Sequence, residues 1–217
     1  MSIHHNLITI QEGIRKAAER SGRNFPDIKL VVAGKYADAQ TLQEAIEAGV
    51  KIIGENKAQD LRDKYKILGD QVEWHFIGHL QSNKVKYVAP IVTLIHSLDS
   101  EKLVIELEKY LTKINKRLKI LIEVNTSGES TKHGVDPQSA AALAAVCKKL
   151  SHLELVGLMT MGADVDNPDN NRPHFRSLKK LADQLQLKEL SMGTTRDFEV
   201  AIEEGATIVR IGSAIFK

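Results

Sequence analysis

The chain has 217 residues, of which 42% are hydrophobic and 27% are charged, and its 30 Lys and Arg residues nearly balance its 28 Asp and Glu residues. This composition indicates a globular chain with a sizeable core, and a formal net charge of +2 is too small to indicate a nucleic-acid or membrane surface. The single cysteine, Cys147, excludes an internal disulfide and fits a reducing compartment, and no apolar run approaches the roughly 18 residues of a membrane span. Because no continuous apolar stretch near the N-terminus resembles a secretory signal, the sequence predicts a cytoplasmic protein whose partner is a small molecule.

An amphipathic helix is predicted over residues 2–21, because Ile3, Leu7, Ile10 and Ile14 recur at helical spacing. After it, segments typical of strands and of helices alternate along the chain. The predicted strands are 30–34, 51–54, 73–77, 92–96, 118–124, 154–159, 189–192 and 207–211. The predicted helices between them are 39–48, 56–67, 81–89, 100–112, 137–150, 170–186 and 197–204.

This alternation, with short connections, indicates a parallel sheet crossed by helices. Eight such strands predict an α/β fold, a single (β/α)8 TIM-like barrel, in which the additional N-terminal helix covers the seam where an eighth crossover helix would pack. The predicted domain spans 1–217, with the helix and a linker in 1–25 and the barrel in 30–212. An open doubly wound sheet is the competing architecture, but its G-x-G-x-x-G fingerprint does not follow the first strand.

The apolar run of residues 30–34 ends abruptly at Lys35. Such a run is typical of a strand buried on both faces of a parallel sheet, and parallel strands present their chemistry at the carboxyl end. An amine at the mouth of an apolar strand is desolvated, which favours the neutral form that attacks a carbonyl to make a Schiff base. The simpler interpretation is a strand-end lysine whose ammonium reaches water.

In a closed barrel the seventh and eighth strands stand beside the first, so three distant segments share one rim. After the seventh strand, residues 191–197 combine hydroxyls and a glycine with a helix N-terminus, which is a common phosphate site. After the eighth, Arg210 supplies a fixed charge and Gly212 allows close approach of the backbone. Thr195 or Asp197 could instead simply cap the helix. A phosphate site beside an amine suits a ligand with a phosphate and an aldehyde, and pyridoxal 5′-phosphate is such a molecule.

Two histidines four residues apart, His75 and His79, are candidate metal ligands. On a strand and a turn they do not share a face as they would on a helix, so no metal site is predicted. His96, at the end of the fourth predicted strand, has no nucleophile elbow around it and is interpreted as a rim or core histidine.

An ordered set of motifs covers nearly the whole chain after residue 30. The motifs are Ala33-Gly34-Lys35, Gly54-Glu55-Asn56, Trp74-His75-Phe76-Ile77-Gly78 running into Leu80-Gln81-Ser82-Asn83-Lys84, His96-Ser97-Leu98-Asp99, Glu129 with Lys132 and Gly134, Gly157-Leu158-Met159, Leu190-Ser191-Met192-Gly193 and Val209-Arg210-Ile211-Gly212. Together they closely resemble the pyridoxal phosphate homeostasis protein family, also called the YggS/PROSC family. The resemblance implies a fold-type III pyridoxal-phosphate barrel similar to the N-terminal domain of alanine racemase.

The resemblance also implies a cofactor and the residues that hold it. It implies that Lys35 carries pyridoxal 5′-phosphate as an internal aldimine, with Asn56 beside the cofactor and the phosphate held by Ser191, Thr195 and the turn at 210–212. The implied cofactor-binding residues are Lys35, Asn56, Ser191, Gly193, Thr195, Arg210 and Gly212, with no established catalytic residue and no metal ligand.

Two positions depart from the family pattern. Gly34 stands where the family usually has Ser, and Thr194-Thr195 stand where it usually has Met-Ser. Thr195 keeps the hydroxyl group, so phosphate binding is expected to survive the second departure.

The leading hypothesis for function is a protein of pyridoxal-phosphate homeostasis that buffers or delivers the cofactor without established catalysis. Its expected partners are the cofactor and pyridoxal-phosphate-dependent apo-enzymes, and it is expected to be a monomer or at most a weak dimer. An amino-acid racemase is the alternative, but racemisation needs acid/base groups on both faces of the substrate, and this protein is expected to lack the domain that supplies the second group in alanine racemase. Tyr36 is expected to point away from Lys35 on a strand. A Schiff-base aldolase that acts on a sugar phosphate is a third hypothesis.

Overall fold

Eight parallel strands close into a barrel in which each strand pairs with its neighbours in sequence and the last pairs with the first. The structure, a computed structural model, describes residues 2–217. The strands are β1 (Lys29–Ala33), β2 (Ile52–Glu55), β3 (Glu73–Phe76), β4 (Leu94–Leu98), β5 (Leu118–Glu123), β6 (Leu153–Met159), β7 (Glu189–Ser191) and β8 (Ile208–Ile211). The predicted (β/α)8 barrel is confirmed, and the pairing of β8 with β1 excludes an open sheet.

Helices surround the barrel, and seven of them connect successive strands. They are α1 (Ile3–Arg20), α2 (Ala39–Glu47), α3 (Ala58–Leu68), α4 (Val85–Val88), α5 (Glu101–Ile114), α6 (Pro137–Cys147), α7 (Arg172–Leu185), α8 (Phe198–Glu203) and α9 (Ser213–Phe216). Side-chain oxygens of Asp38, Ser100 and Asp136 accept the free N–H groups that begin α2, α5 and α6. No helix within residues 2–217 has both the length and the hydrophobicity needed to cross a membrane.

The core has two layers, one inside the barrel and one between strands and helices. Val31 and Ala33 of β1 belong to the inner layer, whereas Val32 belongs to the outer layer. Because successive side chains of a strand point to opposite faces, a continuous apolar run is what a strand needs when both faces are buried. Cys147, at the end of α6, is fully buried in the outer layer.

Helix α1 packs against α8, α9 and α2, and so covers the seam beside β8 and β1 as predicted. Its apolar stripe, which includes Leu7, Ile10 and Ile14, is buried. Asn6 Nδ2 donates a hydrogen bond to the Ile215 carbonyl of α9 at 3.0 Å. The first helix therefore takes the place of an eighth crossover helix.

The segment after β1 differs from the prediction. Gly34, predicted as the last residue of the strand, begins a 3-10 turn, Gly34–Tyr36. The Gly34 carbonyl accepts from the N–H of Ala37 at 3.0 Å and from Lys64 Nζ at 2.9 Å, so it is not available to the strand ladder. Lys35 consequently lies on a turn rather than at the end of a strand.

Two other predicted elements are shifted or shortened. The helix predicted over 81–89 becomes a 3-10 turn, Ser82–Lys84, followed by α4, because Ser and Asn are poor helix formers. Strand β4 begins at Leu94 rather than at residue 92 and continues to Leu98, and its register with β5 shifts between Ile95 and Leu98.

Candidate functional site

A cleft of about 490 Å³ opens at the carboxyl-terminal rim of the barrel, beside the ends of β1, β2 and β8. Its walls include five of the seven residues predicted to bind the cofactor. These five are Lys35, Asn56, Thr195, Arg210 and Gly212. They come together because β8 pairs with β1, with Ile211 in register with Val32, and this pairing brings the two ends of the chain to one rim.

Lys35 is the only lysine among the residues predicted to bind the cofactor, and its side chain is exposed at the mouth of the cleft. The expectation of a desolvated amine is therefore wrong for this structure, because the 3-10 turn carries Lys35 beyond the apolar strand. Lys35 Nζ lies 4.9 Å from the centroid of the Tyr36 ring. The expectation that Tyr36 points away from Lys35 is also wrong, because the alternation of a strand does not apply on this turn, and both residues line the cleft.

Gly212 forms a part of the cleft wall where no side chain fits. A Cβ at this position would lie 2.6 Å from Tyr36 Cδ2 and 3.0 Å from the Ala33 Cβ. The Tyr36 ring thus packs directly on the backbone that follows β8. The absence of a side chain at residue 212 keeps that backbone accessible to the cleft.

Positive charge dominates the cleft. Its walls carry Lys35, Arg196, Arg210 and Lys217 but a single carboxylate, Asp164. Asp164 lies 3.5 Å from Arg196 in a highly exposed pair, which solvent screens. The cleft therefore favours a ligand with negative charge.

Hydroxyl and amide groups face the same cleft near Thr195. Ser213 Oγ donates to Thr195 Oγ1 at 3.2 Å, which brings the hydroxyls after β7 and β8 together. Within residues 2–217 the backbone N–H groups of Thr195 and Gly212 have no hydrogen-bond acceptor. Free N–H groups beside hydroxyls are suitable donors for a phosphate.

Thr194, one of the departures from the family pattern, has a structural role next to this group. Its backbone N–H and its Oγ1 both contact Asp197 Oδ1, at 2.7 and 3.0 Å. Asn171 Nδ2 donates to the other oxygen of this buried carboxylate at 2.8 Å. Thr194 therefore holds the turn between β7 and α8 in place.

Ser191 and Gly193 lie beneath the cleft rather than on its wall. Ser191 Oγ is fully buried and accepts from Arg210 Nη1 at 2.6 Å. Gly193 has a φ of +91°, and a Cβ there would lie 2.6 Å from the Ala201 Cβ. Its carbonyl accepts the Arg210 N–H at 3.0 Å, so both residues support Arg210.

Asn56 and its neighbour Glu55 form the wall at the end of β2. Asn56 Oδ1 is buried without a hydrogen-bond partner within residues 2–217, so the wall contains a free acceptor. Glu55 is fully buried, and Lys64 Nζ donates to its Oε1 at 2.7 Å. Burial raises the pKa of Glu55 despite this lysine. A Cβ at Gly34 would meet the Glu55 carboxylate, so a side chain at this position would require that carboxylate to shift.

Sequence reasoning interpreted His96 as a rim or core histidine, but it missed the hydrogen bonds that join polar groups inside the barrel. His75, His96 and Ser191 form a buried hydrogen-bonded row that ends at Arg210. Glu123 of β5 is also buried there, and burial raises its pKa to about 7 although the charge of Arg210 acts in the opposite direction. The sequence signal that indicates such groups is a polar residue at an inward-facing position of an otherwise apolar strand.

His75 and His79 are separated as predicted, with His75 inside the barrel and His79 at the rim. His79 Nδ1 lies 3.1 Å from Asp99 Oδ2, and the His79 ring stacks on the His133 ring at 4.2 Å. This group of potential ligands comes from three separate loops, which is why spacing in the sequence does not indicate it.

The chain matches the family described as the N-terminal domain of alanine racemase over residues 5–217, and it is a member of this class of barrels. A relative from Aquifex aeolicus named pyridoxal phosphate homeostasis protein is 45% identical over 223 residues, covering 100% of this chain and 98% of the relative. The chain thus belongs to the pyridoxal phosphate homeostasis protein family.

Solved structures extend the comparison. PipY from Synechococcus elongatus, solved with pyridoxal phosphate bound, is 27% identical with a TM-score of 0.86, and the match covers 100% of both chains. Alanine racemase from Corynebacterium glutamicum shares the fold at 15% identity and a TM-score of 0.69, covering 95% of this chain but 59% of the racemase.

Proposed function

We propose that this protein binds pyridoxal 5′-phosphate at Lys35 and holds it for buffering or delivery, as a protein of cofactor homeostasis. The observation that carries the proposal is the placement of a primary amine and an anion-binding wall in one cleft. The names of the relatives and the cofactor bound to PipY support the same ligand.

The residues of the cleft fit this ligand chemically. Pyridoxal phosphate supplies an aldehyde that condenses with a primary amine and a phosphate that needs several donors. Lys35 provides the amine. Thr195, Ser213 and the free N–H of Gly212 provide donors for the phosphate, and the unpartnered Asn56 Oδ1 provides an acceptor for a polar group of the ligand.

The test is attachment of the cofactor at a single lysine. We expect the protein to turn yellow with pyridoxal phosphate, and borohydride followed by peptide mapping should place the pyridoxyl group on Lys35. Lys35→Ala should lose the colour and keep its fold, because one exposed rim side chain contributes little to the core. Lys217→Ala is the matched control, since Lys217 lines the same cleft and lies 5.3 Å from the same Tyr36 ring. Colour retained by Lys35→Ala, or label found on Lys217, would refute the assignment.

We propose that the bound cofactor is held without turnover, and amino-acid racemisation is the second candidate. The position of Tyr36 is the reason to test for racemisation. The Tyr36 ring lies beside Lys35 within the cleft, and a phenol can serve as an acid/base group. Incubation of the loaded protein with L-alanine should yield no D-alanine above the level given by free cofactor. Formation of D-alanine that depends on Tyr36 would establish the racemase. A colourless protein that traps a sugar phosphate on Lys35 would instead support the aldolase.

We further propose a cytoplasmic monomer that passes the cofactor to apo-enzymes. The single cysteine and the near-neutral charge are consistent with this setting. Loaded protein can be mixed with a pyridoxal-phosphate-dependent apo-enzyme in the presence of a phosphatase that destroys free cofactor. Activation that survives the phosphatase supports direct delivery, and loss of activation supports buffering of the free pool. Size-exclusion chromatography should give a monomer mass.

A further inference from the structure

Four polar side chains form one hydrogen-bonded row through the barrel interior, from β3 to β8. His75 Nδ1 lies 3.0 Å from His96 Nε2, and His96 Nδ1 lies 2.8 Å from Ser191 Oγ. Arg210 Nη1 donates to the same Ser191 Oγ at 2.6 Å. All four residues are buried, with exposures of 5% or less. Arg210 also lines the cleft, so the row connects the barrel interior to the proposed ligand site.

The direction of each hydrogen bond follows from the groups involved. A guanidinium donates only, so Ser191 Oγ accepts from Arg210. The hydroxyl has one proton, and within residues 2–217 its remaining partner is His96 Nδ1, so Ser191 donates to His96. His96 then carries its own proton on Nε2 and donates to His75 Nδ1.

This direction of the hydrogen bonds requires both histidines to be neutral, and their burial makes them so. Burial lowers the pKa of His75, and it lowers the pKa of His96 well below its ordinary value. Each ring is therefore neutral at physiological pH and has one donor nitrogen and one acceptor nitrogen. His75 carries its proton on Nε2, which lies 3.7 Å from Glu73 at the opposite end of the barrel.

Arg210 is held on two of its nitrogen atoms. Nη1 donates to Ser191, while Nη2 donates to the Thr160 carbonyl at 3.1 Å and contacts Met161 Sδ at 3.0 Å. Within residues 2–217 these contacts leave the Nε–H and the second Nη1 proton unused. Since Arg210 lines the cleft, its orientation decides whether these donors can serve a ligand there.

We propose that Ser191 and His96 are positioning residues that fix the orientation of Arg210 toward an acceptor atom of the bound ligand. His96 acts through Ser191, because its Nδ1 accepts a hydrogen bond from the hydroxyl and so turns an oxygen lone pair toward Arg210. The inference rests on the proposed function, since pyridoxal phosphate is the ligand whose affinity it concerns.

Variants along the row test the proposal through the affinity for pyridoxal phosphate. Ser191→Ala removes the acceptor for Arg210, and His96→Leu removes the acceptor for the hydroxyl proton, so each should weaken cofactor binding about tenfold, as expected for one hydrogen bond to a charged group. His96→Asn should restore binding to within about threefold, because Asn Oδ1 can replace Nδ1 as acceptor. The double variant should bind no worse than the weaker single variant, because both changes act on one row.

Ser97→Ala is the matched control for these variants. Ser97 neighbours His96 on β4 and is fully buried, but its Oγ has no partner within residues 2–217. Its removal should leave the affinity unchanged. If Ser191→Ala binds as tightly as Ser97→Ala, or if His96→Asn is as weak as His96→Leu while both are folded, the positioning role is overturned.

The tautomer of His96 tests the same inference without any cofactor. In ¹⁵N-resolved NMR spectra of the apo protein, we expect the His96 proton on Nε2 and a hydrogen-bonded, unprotonated Nδ1. A proton on Nδ1 would overturn the direction of the row. Failure of the wild-type protein to bind the cofactor would refute the proposed function instead, and the NMR result would still decide the arrangement of the row.

Discussion

The ring of Tyr36 lies on the backbone of Gly212, where a Cβ would come within 2.6 Å of Tyr36 Cδ2. This contact joins the turn after β1 to the segment after β8, which are separated by almost the whole chain. It also places the residue next to Lys35 against the wall that we propose for the phosphate. The geometry of the amine and the anion wall is therefore coupled through one aromatic ring.

Gly212→Ala should disturb this contact. The new methyl group would force the Tyr36 ring to move, at a cost of about 1–3 kcal/mol in the free energy of unfolding. It should also weaken the binding of pyridoxal phosphate, because the wall and the turn that carries Lys35 shift together. Urea denaturation and a cofactor titration by absorbance measure the two effects.

Removal of the ring provides the control for Gly212→Ala. The double variant Tyr36→Ala/Gly212→Ala lacks the closest contact of the new methyl group, so adding Gly212→Ala to Tyr36→Ala should cost less stability than adding it to the wild type. An equal or larger loss in the Tyr36→Ala background would show that the ring contact is not the cause.

The barrel can be predicted from the sequence because its strands are buried on both faces and therefore appear as continuous apolar runs. The approach of Lys35, Thr195 and Gly212 to one cleft follows from closure alone, since β8 then lies beside β1. The prediction of closure depends only on the number and order of the elements. It therefore holds even when the predicted boundaries are wrong by a few residues.

Other features of the site cannot be predicted from the periodicity of apolar residues. The sequence predicts Gly34 as the last residue of a strand, whereas the structure begins a 3-10 turn there. The expected direction of Tyr36 is wrong for this reason, because a 3-10 turn does not alternate its side chains. His96 and Glu123 lie on apolar strands, and their contacts with distant strands cannot be seen in the local sequence. The buried polar row is thus a property of barrel closure and not of any one segment.

Lys64 should be essential to the stability of the wall at β2. It is the cation that pairs with the fully buried Glu55, and its Nζ also holds the Gly34 carbonyl at 2.9 Å. Lys64→Met leaves a buried carboxylate without a counter-charge, so the free energy of unfolding should fall by about 3 kcal/mol at pH 8. Denaturation in urea measures the loss.

The pH dependence distinguishes this cause from lost packing. The pKa of Glu55 is already raised by burial, and loss of Lys64 should raise it further, so protonation at lower pH should remove the unpaired charge. The defect of Lys64→Met should therefore shrink between pH 8 and pH 5. Lys16→Met is the control, because its pair with Glu12 is exposed and should contribute less than about 1 kcal/mol. A defect of constant size across this range would contradict the explanation.

Glu123 should make the protein less stable as pH rises. Burial raises the pKa of its carboxyl from 4.5 to about 7, so between these values the folded state keeps a proton that the unfolded state releases. The unfolded state then binds fewer protons, and the free energy of unfolding falls as pH rises through this interval, by at most roughly 3 kcal/mol for this one group.

Glu123→Gln removes this titration. The free energy of unfolding of the wild type, measured relative to this variant, should therefore fall from pH 4.5 to pH 7 and stay constant above pH 7. Chemical denaturation across this range measures the difference, and Glu44→Gln, at an exposed position of α2, should change stability by less than about 0.5 kcal/mol throughout. Parallel curves for wild type and Glu123→Gln would mean that Glu123 is ionised in the folded protein without cost, with Arg210 compensating fully for its burial.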